Sequence, residues 1–285
     1  MNWLGFDLLM FAASVILYLL ARRAAILKQP VYFTNLAMFV VPLVVFCGMD
    51  MIWRPSFALN SLQVFLIVFA GVVFSYVSNW ASLKSIESAP NPGYSLVISK
   101  SYVVLTTIIA VPLFGAELSN RAVLAIILIV GAAAFIMVDP ARRQRSGSKR
   151  WLVLSLGAFF GWGLLSLVAK FLFTQGVAPL AFLSLLFLIA TLCIVVENTS
   201  KRVDYSHVFG SWGLFIAIGL AAAAFNFFSF VAIKMAPNVG YVNATNASSI
   251  AIVTVFSALL FGDELSLRKL GGVAGVVAGL ILLLS

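Results

Sequence analysis

The sequence predicts an all-α polytopic membrane protein: ten transmembrane helices in two inverted five-helix repeats. Three observations carry that prediction: extreme apolarity, ten apolar runs of spanning length, and two polar motifs that recur in one register. Of 285 residues, 63% are hydrophobic and only 9% charged, against about half apolar and a quarter charged in an ordinary soluble domain. That composition excludes a water-soluble globule, a disordered chain and a fibrous repeat. The net charge of +9 does not indicate nucleic acid, because the Lys and Arg residues gather at the ends of apolar runs, where membrane proteins keep their positive loops.

A spanning helix needs about 20 mostly apolar residues. Dividing the chain at Pro, Gly and charged clusters gives runs at about 3–21, 31–49, 61–83, 92–114, 121–138, 151–170, 179–196, 211–233, 239–261 and 268–284. The first carries Asp7 and has no basic residue before it, so it reads as a span rather than a cleavable leader. Cys47 and Cys193 both fall inside apolar runs and read as small core residues rather than a disulfide or a metal pair.

The repeat is visible in polar residues. Ala89-Pro90-Asn91-Pro92-Gly93-Tyr94 recurs as Ala236-Pro237-Asn238-Val239-Gly240-Tyr241, and Phe114-Gly115-Ala116-Glu117-Leu118-Ser119 recurs as Phe261-Gly262-Asp263-Glu264-Leu265-Ser266. Both pairs share one offset, which also matches Asn79 with Asn226, Ser82 with Ser229 and Arg23 with Lys170. The expected division is 1–140 for the first five-helix repeat, 141–150 for a basic linker and 151–285 for the second repeat. Five is odd, so the second half enters the membrane from the opposite side. A duplication inside one chain supplies what two antiparallel subunits would otherwise provide, and a working monomer is the expectation.

Basic residues set the orientation. One side receives Arg22, Arg23, Lys28, Lys84, Arg142, Arg143, Arg145, Lys149, Arg150, Lys201, Arg202, Arg268 and Lys269; the other receives Arg54, Arg121, Lys170 and Lys234. The positive-inside rule then places the linker in the cytoplasm and both termini outside.

Two five-span halves, each with an Ala-Pro-Asn-x-Gly-Tyr motif opening its fourth helix and a Phe-Gly-x-Glu-Leu-Ser turn closing it, make the chain resemble the EamA-like branch of the drug/metabolite transporter superfamily. The resemblance covers essentially the whole chain. It implies ten helices that export or exchange small metabolites by alternating access, around a cavity lined largely by the third, fourth, eighth and ninth helices. It also implies cytoplasmic termini, against the charge distribution, which is followed here.

Polar groups within hydrocarbon need a reason, since a charge at a helix centre costs roughly 2.5–3.5 kcal/mol on insertion scales. Lys100 lies about eight residues into the fourth run, too deep to snorkel easily from the nearer end. It reads either as a cavity cation for a carboxylate or phosphate, or as a Lys bonded to helix carbonyls or a carboxylate; its repeat counterpart is Ala247. Ser99, Tyr102 and Thr106 recur at spacings of three and four on one side of that helix, and Asn243, Asn246 and Ser249 form a matching stripe on the ninth. Ser75, Asn79 and Ser82 share a face of the third helix; Asn226 and Ser229 repeat the last two on the eighth. Such groups suit a zwitterionic or hydroxylated ligand and suit interhelical bonding equally well. The substrate-binding candidates are therefore Lys100, Asn79, Ser99, Tyr102, Asn226, Asn243, Asn246 and Ser249.

Other features read as structural. Trp80, Trp162, Tyr94 and Tyr241 are packing or interface residues before they are cavity walls. Asn91 and Asn238 are expected N-caps, with Pro92 at a first helical position. Glu117 and Glu264 are each expected to pair with the Arg four residues on, Arg121 or Arg268. Gly271, Gly275 and Gly279, like Gly157 and Gly161, form small-residue stripes for close packing.

The lone His207 falls in a polar loop, no metal-ligand cluster or phosphate-binding Gly-rich loop is present, and no Ser has a base within a span. Neither an enzyme nor a cofactor is expected. Asp7 is off-centre in the first helix and its counterpart is Leu154, which disfavours coupling by paired carboxylates. The reading is a secondary active transporter of the inner membrane, with the lipid bilayer and a small polar metabolite, an amino acid or other organic anion or zwitterion, as its partners. A lipid-phosphate flippase and a non-transporting scaffold or accessory subunit remain as alternatives.

Overall fold

A computed structural model describes residues 2–89, 92–138 and 150–284. Among these residues ten helices are long and apolar enough to cross a membrane. In order they are Trp3–Ile26, Val31–Trp53, Ser61–Ser88, Tyr94–Phe114, Asn120–Met137, Arg150–Thr174, Pro179–Ser200, Trp212–Met235, Val239–Phe261 and Leu267–Leu284, and every run expected from hydropathy is present. The helices exceed the runs mostly at polar ends: the third continues to Ser88 and the seventh through Glu197, Asn198 and Thr199 to Ser200. Backbone hydrogen bonding does not stop where hydrocarbon does. Residues 139–149, which take in all of the expected linker but Arg150, and Asn91, expected to cap the fourth helix, lie outside the described residues.

Two spans are irregular, both in the first half. The third is α-helical over Ser61–Phe69, π-helical over Ala70–Val77 and α-helical again over Ser78–Ser88. The fourth is interrupted at Ser101, between helices Pro92–Lys100 and Tyr102–Phe114. Their counterparts, the eighth and ninth, are continuous α-helices.

The helices group into two compact units. Met1–Tyr76 with Val168–Lys234 holds the first two spans, most of the third, the end of the sixth, the seventh and the eighth. Its core includes Leu17, Phe33, Ile194, Phe215 and Ile218, with Phe33 edge-on to Phe215 at 5.5 Å. Lys170 donates to the carbonyls of Ile233 and Lys234, both at 2.9 Å, placing a cation on the carbonyl end of the eighth helix, where the helix dipole favours it.

Val77–Leu167 with Met235–Ser285 holds the tail of the third span, the fourth and fifth, most of the sixth, the ninth and the tenth. The fifth and tenth helices pack along each other through glycine. A Cβ on Gly272 would meet Ile136 Cγ1 at 2.7 Å and Ala132 O at 2.9 Å, one on Gly275 would meet Ala132 Cβ at 2.7 Å, and one on Gly279 would meet Ile129 Cγ1 at 2.6 Å. The stripe is thus Gly272, Gly275 and Gly279; Gly271 has nothing within 4 Å, because a seam between helices follows spacings of three and four rather than four alone. In the sixth helix it is Gly163, against Leu105 at 2.7 Å, that is tight, while Gly157 has only an ordinary contact at 4.0 Å.

The repeated turns share their conformation. Gly115 (φ 61°) and Gly262 (φ 70°) both end their helices in the left-handed region, which glycine enters without a Cβ penalty. Ser119 Oγ then accepts from Ala122 N at 3.1 Å and Ser266 Oγ from Lys269 N at 3.4 Å, capping the next helix each time. The expected Glu117–Arg121 and Glu264–Arg268 pairs do not form. Arg121 Nε donates to Leu282 O at 2.9 Å and Arg268 lies 5.9 Å from the Phe135 ring centre. Four residues suffice for an ion pair only when both lie on one helix, and here a turn separates them.

Candidate functional site

Seven of the eight sequence-derived candidates fall in the second of these units. The eighth, Asn226, belongs to the first, where its Nδ2 donates to Ala222 O at 2.8 Å within its own helix.

The interruption at Ser101 positions the key cation. Ser101 N bonds back to both Val97 and Ile98 carbonyls, at 3.1 and 3.2 Å, and the helix restarts at Tyr102. Lys100, the last residue before the break, is half-buried, and its ammonium lies 4.9 Å from the centre of the Trp162 ring on the sixth helix. The ring face carries negative quadrupole charge and holds a cation more strongly as water is removed. Tyr102 meets the same indole edge-on at 6.2 Å. Trp162, read from the sequence as packing first, is therefore the platform that joins Lys100 to Tyr102.

The ninth helix answers with amides. Asn246 Nδ2 donates to the Tyr102 hydroxyl at 3.4 Å, and Asn243 Nδ2 to Thr106 Oγ1 at 3.1 Å. The two polar stripes do meet. Ser99 and Ser249 are buried but turn onto their own helices, donating to Leu96 O at 3.2 Å and Asn246 O at 2.7 Å. Asn79, on the tail of the third span, is half-buried. Lys100 also borders a narrow cleft of about 10 Å³, room for one water, shared with Val97, Val130, Met137 and Ala247.

The motif that opens the ninth helix holds the arrangement in place. Asn238 caps the helix by accepting from Gly240 N at 2.8 Å, as expected, and its Nδ2 reaches Thr107 O at 3.4 Å and Glu117 O at 3.3 Å. The Tyr241 hydroxyl donates to the same Glu117 carbonyl at 3.1 Å. The opening motif of the second half thus clamps the closing turn of the first.

Sequence reasoning missed a buried hydroxyl cluster. Ser85 bonds to Ser95, and Ser155 Oγ lies 3.1 Å from Ser95 Oγ; all three are fully buried, linking the third, fourth and sixth spans. The one available signal was that Ser95 precedes Ser99 by four residues and so continues its stripe.

No group of His, Cys, Asp or Glu that could hold a metal occurs among the described residues. No family model matches the chain. An uncharacterized transporter of Archaeoglobus fulgidus is 23% identical over 232 residues, covering 81% of this chain and 79% of the relative. Ten apolar helices and a transporter homologue suggest a multi-pass membrane protein with a transport function. A solved crystal structure of another protein superposes with a TM-score of 0.77 over 98% of this chain and 97% of that one; at 11% identity the likeness is one of fold. A transporter homologue also fits a chain that is not an enzyme.

Proposed function

We propose that this protein is a secondary active transporter of a small polar metabolite, an amino acid or other organic anion or zwitterion, which it moves by alternating access across the inner membrane. The carrying observation is Lys100: a cation deep in a broken helix, set over Trp162 and next to Tyr102, whose hydroxyl Asn246 engages from the ninth helix. In this reading Lys100 attracts the anionic group, and Tyr102 and the Asn243 and Asn246 amides supply hydrogen bonds. Ser99, Ser249 and Asn79 line the path as the site opens, Ser99 and Ser249 turning from their helices to do so; Asn226 stays a separate substrate-binding candidate of the first unit. A site of modest strength suits turnover, because a ligand held equally in both conformations shifts no equilibrium and one held too tightly does not leave.

The proposed architecture is two inverted five-helix halves of the EamA-like kind, the linker cytoplasmic and both termini outside. Supporting it are the two closing turns with equal caps, and a grouping that keeps four pairs of corresponding spans together, the second and third with the seventh and eighth and the fourth and fifth with the ninth and tenth, while the first and most of the sixth fall in different units. The duplicated chain would work as a monomer.

The test is exchange in proteoliposomes of a labelled panel of neutral amino acids, dicarboxylates, sugar phosphates and quaternary amines, for wild type and Lys100→Met. Saturable movement of an anion or zwitterion that Lys100→Met abolishes, with the variant folded, supports the reading. Equal transport by the variant overturns the role of Lys100, and movement of lipid phosphate in place of any soluble compound would make the protein a flippase.

A further inference from the structure

We infer that Asn246 reads a hydrogen-bond donor on the transported molecule, so that the substrate carries an N–H group beside the anionic group held by Lys100; this rests on the function proposed above. Among the described residues of its unit, Asn246 Oδ1 is the one buried side-chain polar atom without a hydrogen-bond partner. Asn246 is only 8% exposed. Its surroundings are otherwise provided for: Thr106 Oγ1 receives Asn243 and donates to Val103 O at 3.0 Å, and Ser249 is satisfied by the Asn246 carbonyl.

A buried acceptor left bare is costly, whereas a bonded one is not. The Asn246 amide is held at its nitrogen end by the Tyr102 hydroxyl, the residue that shares Trp162 with Lys100. Anion site and bare acceptor are therefore joined through two aromatic side chains. A molecule that spans them needs an anionic group at one end and an amine or amide N–H at the other. A site built to bond such a group rejects the analogue that lacks it, because the acceptor then stays unpaired in the complex.

Matched probes test this in proteoliposomes of the full chain: labelled glutamate against glutarate, and phenylalanine against 3-phenylpropionate, each pair differing in the amine alone. The expected result is a preference of about tenfold or more for the amine-bearing member, brought near unity by Asn246→Ala and kept by Asn246→Asp, which retains the acceptor. Asn246→Ser, a smaller acceptor, replaces the Asp variant if that protein does not purify folded. A ratio near unity in wild type, or equal loss of both members in Asn246→Ala, overturns the inference and makes Asn246 a bond between helices. Lys100→Met should depress both members of a pair alike, which separates the two roles. If folded wild-type protein carries neither member of either pair, the transport reading fails and the inference falls with it.

Discussion

Lys100 and Ala247, which hold equivalent positions in the two halves, border the same cleft. One contributes a cation to its lining and the other a methyl, an asymmetry that suits the proposed substrate with one charged end. Ala247 is buried and the cleft is narrow, so Ala247→Leu should cost about 1–3 kcal/mol of stability by overpacking and, in the protein that remains folded, lower transport by about tenfold, equivalent to 1.4 kcal/mol. Retention of full transport would show that the substrate does not use the cleft.

The Trp162 platform makes a second prediction. A cation over an aromatic face is stabilised by about 0.5–2 kcal/mol depending on desolvation. Trp162→Leu removes the interaction and Trp162→Phe weakens it. Apparent substrate affinity should fall in the order wild type, Phe, Leu, with Lys100→Met insensitive to the same changes. Additive losses in the double variant would separate Trp162 from Lys100.

Gly240 stands so close to the fourth helix that a Cβ built on it would lie 1.8 Å from Thr107 Oγ1 and 2.7 Å from Thr107 Cα. Backbone cannot give way as a flexible side chain does. Gly240→Ala should destabilise the folded protein by about 1–3 kcal/mol or more through overpacking, read as a lower melting temperature in detergent. Gly271→Ala, with nothing within 4 Å, should be neutral or slightly stabilising, since Ala is the better helix former.

Lys170 closes two carbonyls at the end of the eighth helix. Lys170→Met leaves them without that donor, and a loss of about 1–3 kcal/mol is expected, with substrate affinity unaltered in whatever protein remains folded. A change in affinity at constant stability would instead put Lys170 in the transport path.

Outside the spans, Asp204 accepts from the backbone N–H of Ser206 at 2.9 Å and from its hydroxyl at 2.7 Å. These bonds, the backbone one first, hold its carboxyl below the usual carboxylate range, with His207 adding a smaller pull in the same direction. A depressed folded value means that the contribution is present above the unfolded pKa of about 3.9 and is lost as pH falls through the folded value. Amide exchange at Ser206 should therefore be slower in wild type than in Asp204→Ala at neutral pH, and the difference should vanish only well below about pH 4, once the depressed carboxyl is protonated. A difference that persists there would mean that the charge is irrelevant to the turn.

The number and order of spans were legible because a bilayer imposes length and apolarity on each segment separately. The Asn238 cap was legible because it acts within a few residues of its own backbone; the left-handed Gly115 and Gly262 that end the fourth and ninth helices were found only in the structure. Site residues were legible as types but not as partners. Tyr102 and Asn246 were each singled out on their own stripe, yet nothing in the spacing along either helix says that one engages the other, or that Trp162 lies beneath Lys100. The matched pair Asn79 and Asn226 shows the limit most clearly, for equivalence in the repeat gave no warning that they belong to different compact units.

By itself, the sequence determined the membrane class, the ten helices and the Asn238 cap, all of which follow from transfer free energy and short-range backbone chemistry. Only the tertiary structure decided that the fourth helix breaks beside Lys100, that Gly272 rather than Gly271 meets the fifth helix, that Arg121 bonds a carbonyl instead of Glu117, and that one amide oxygen on Asn246 is left bare. Those outcomes depend on rotations of helices about their axes and on atoms far apart in the chain, which apolar side chains of similar hydropathy do not distinguish.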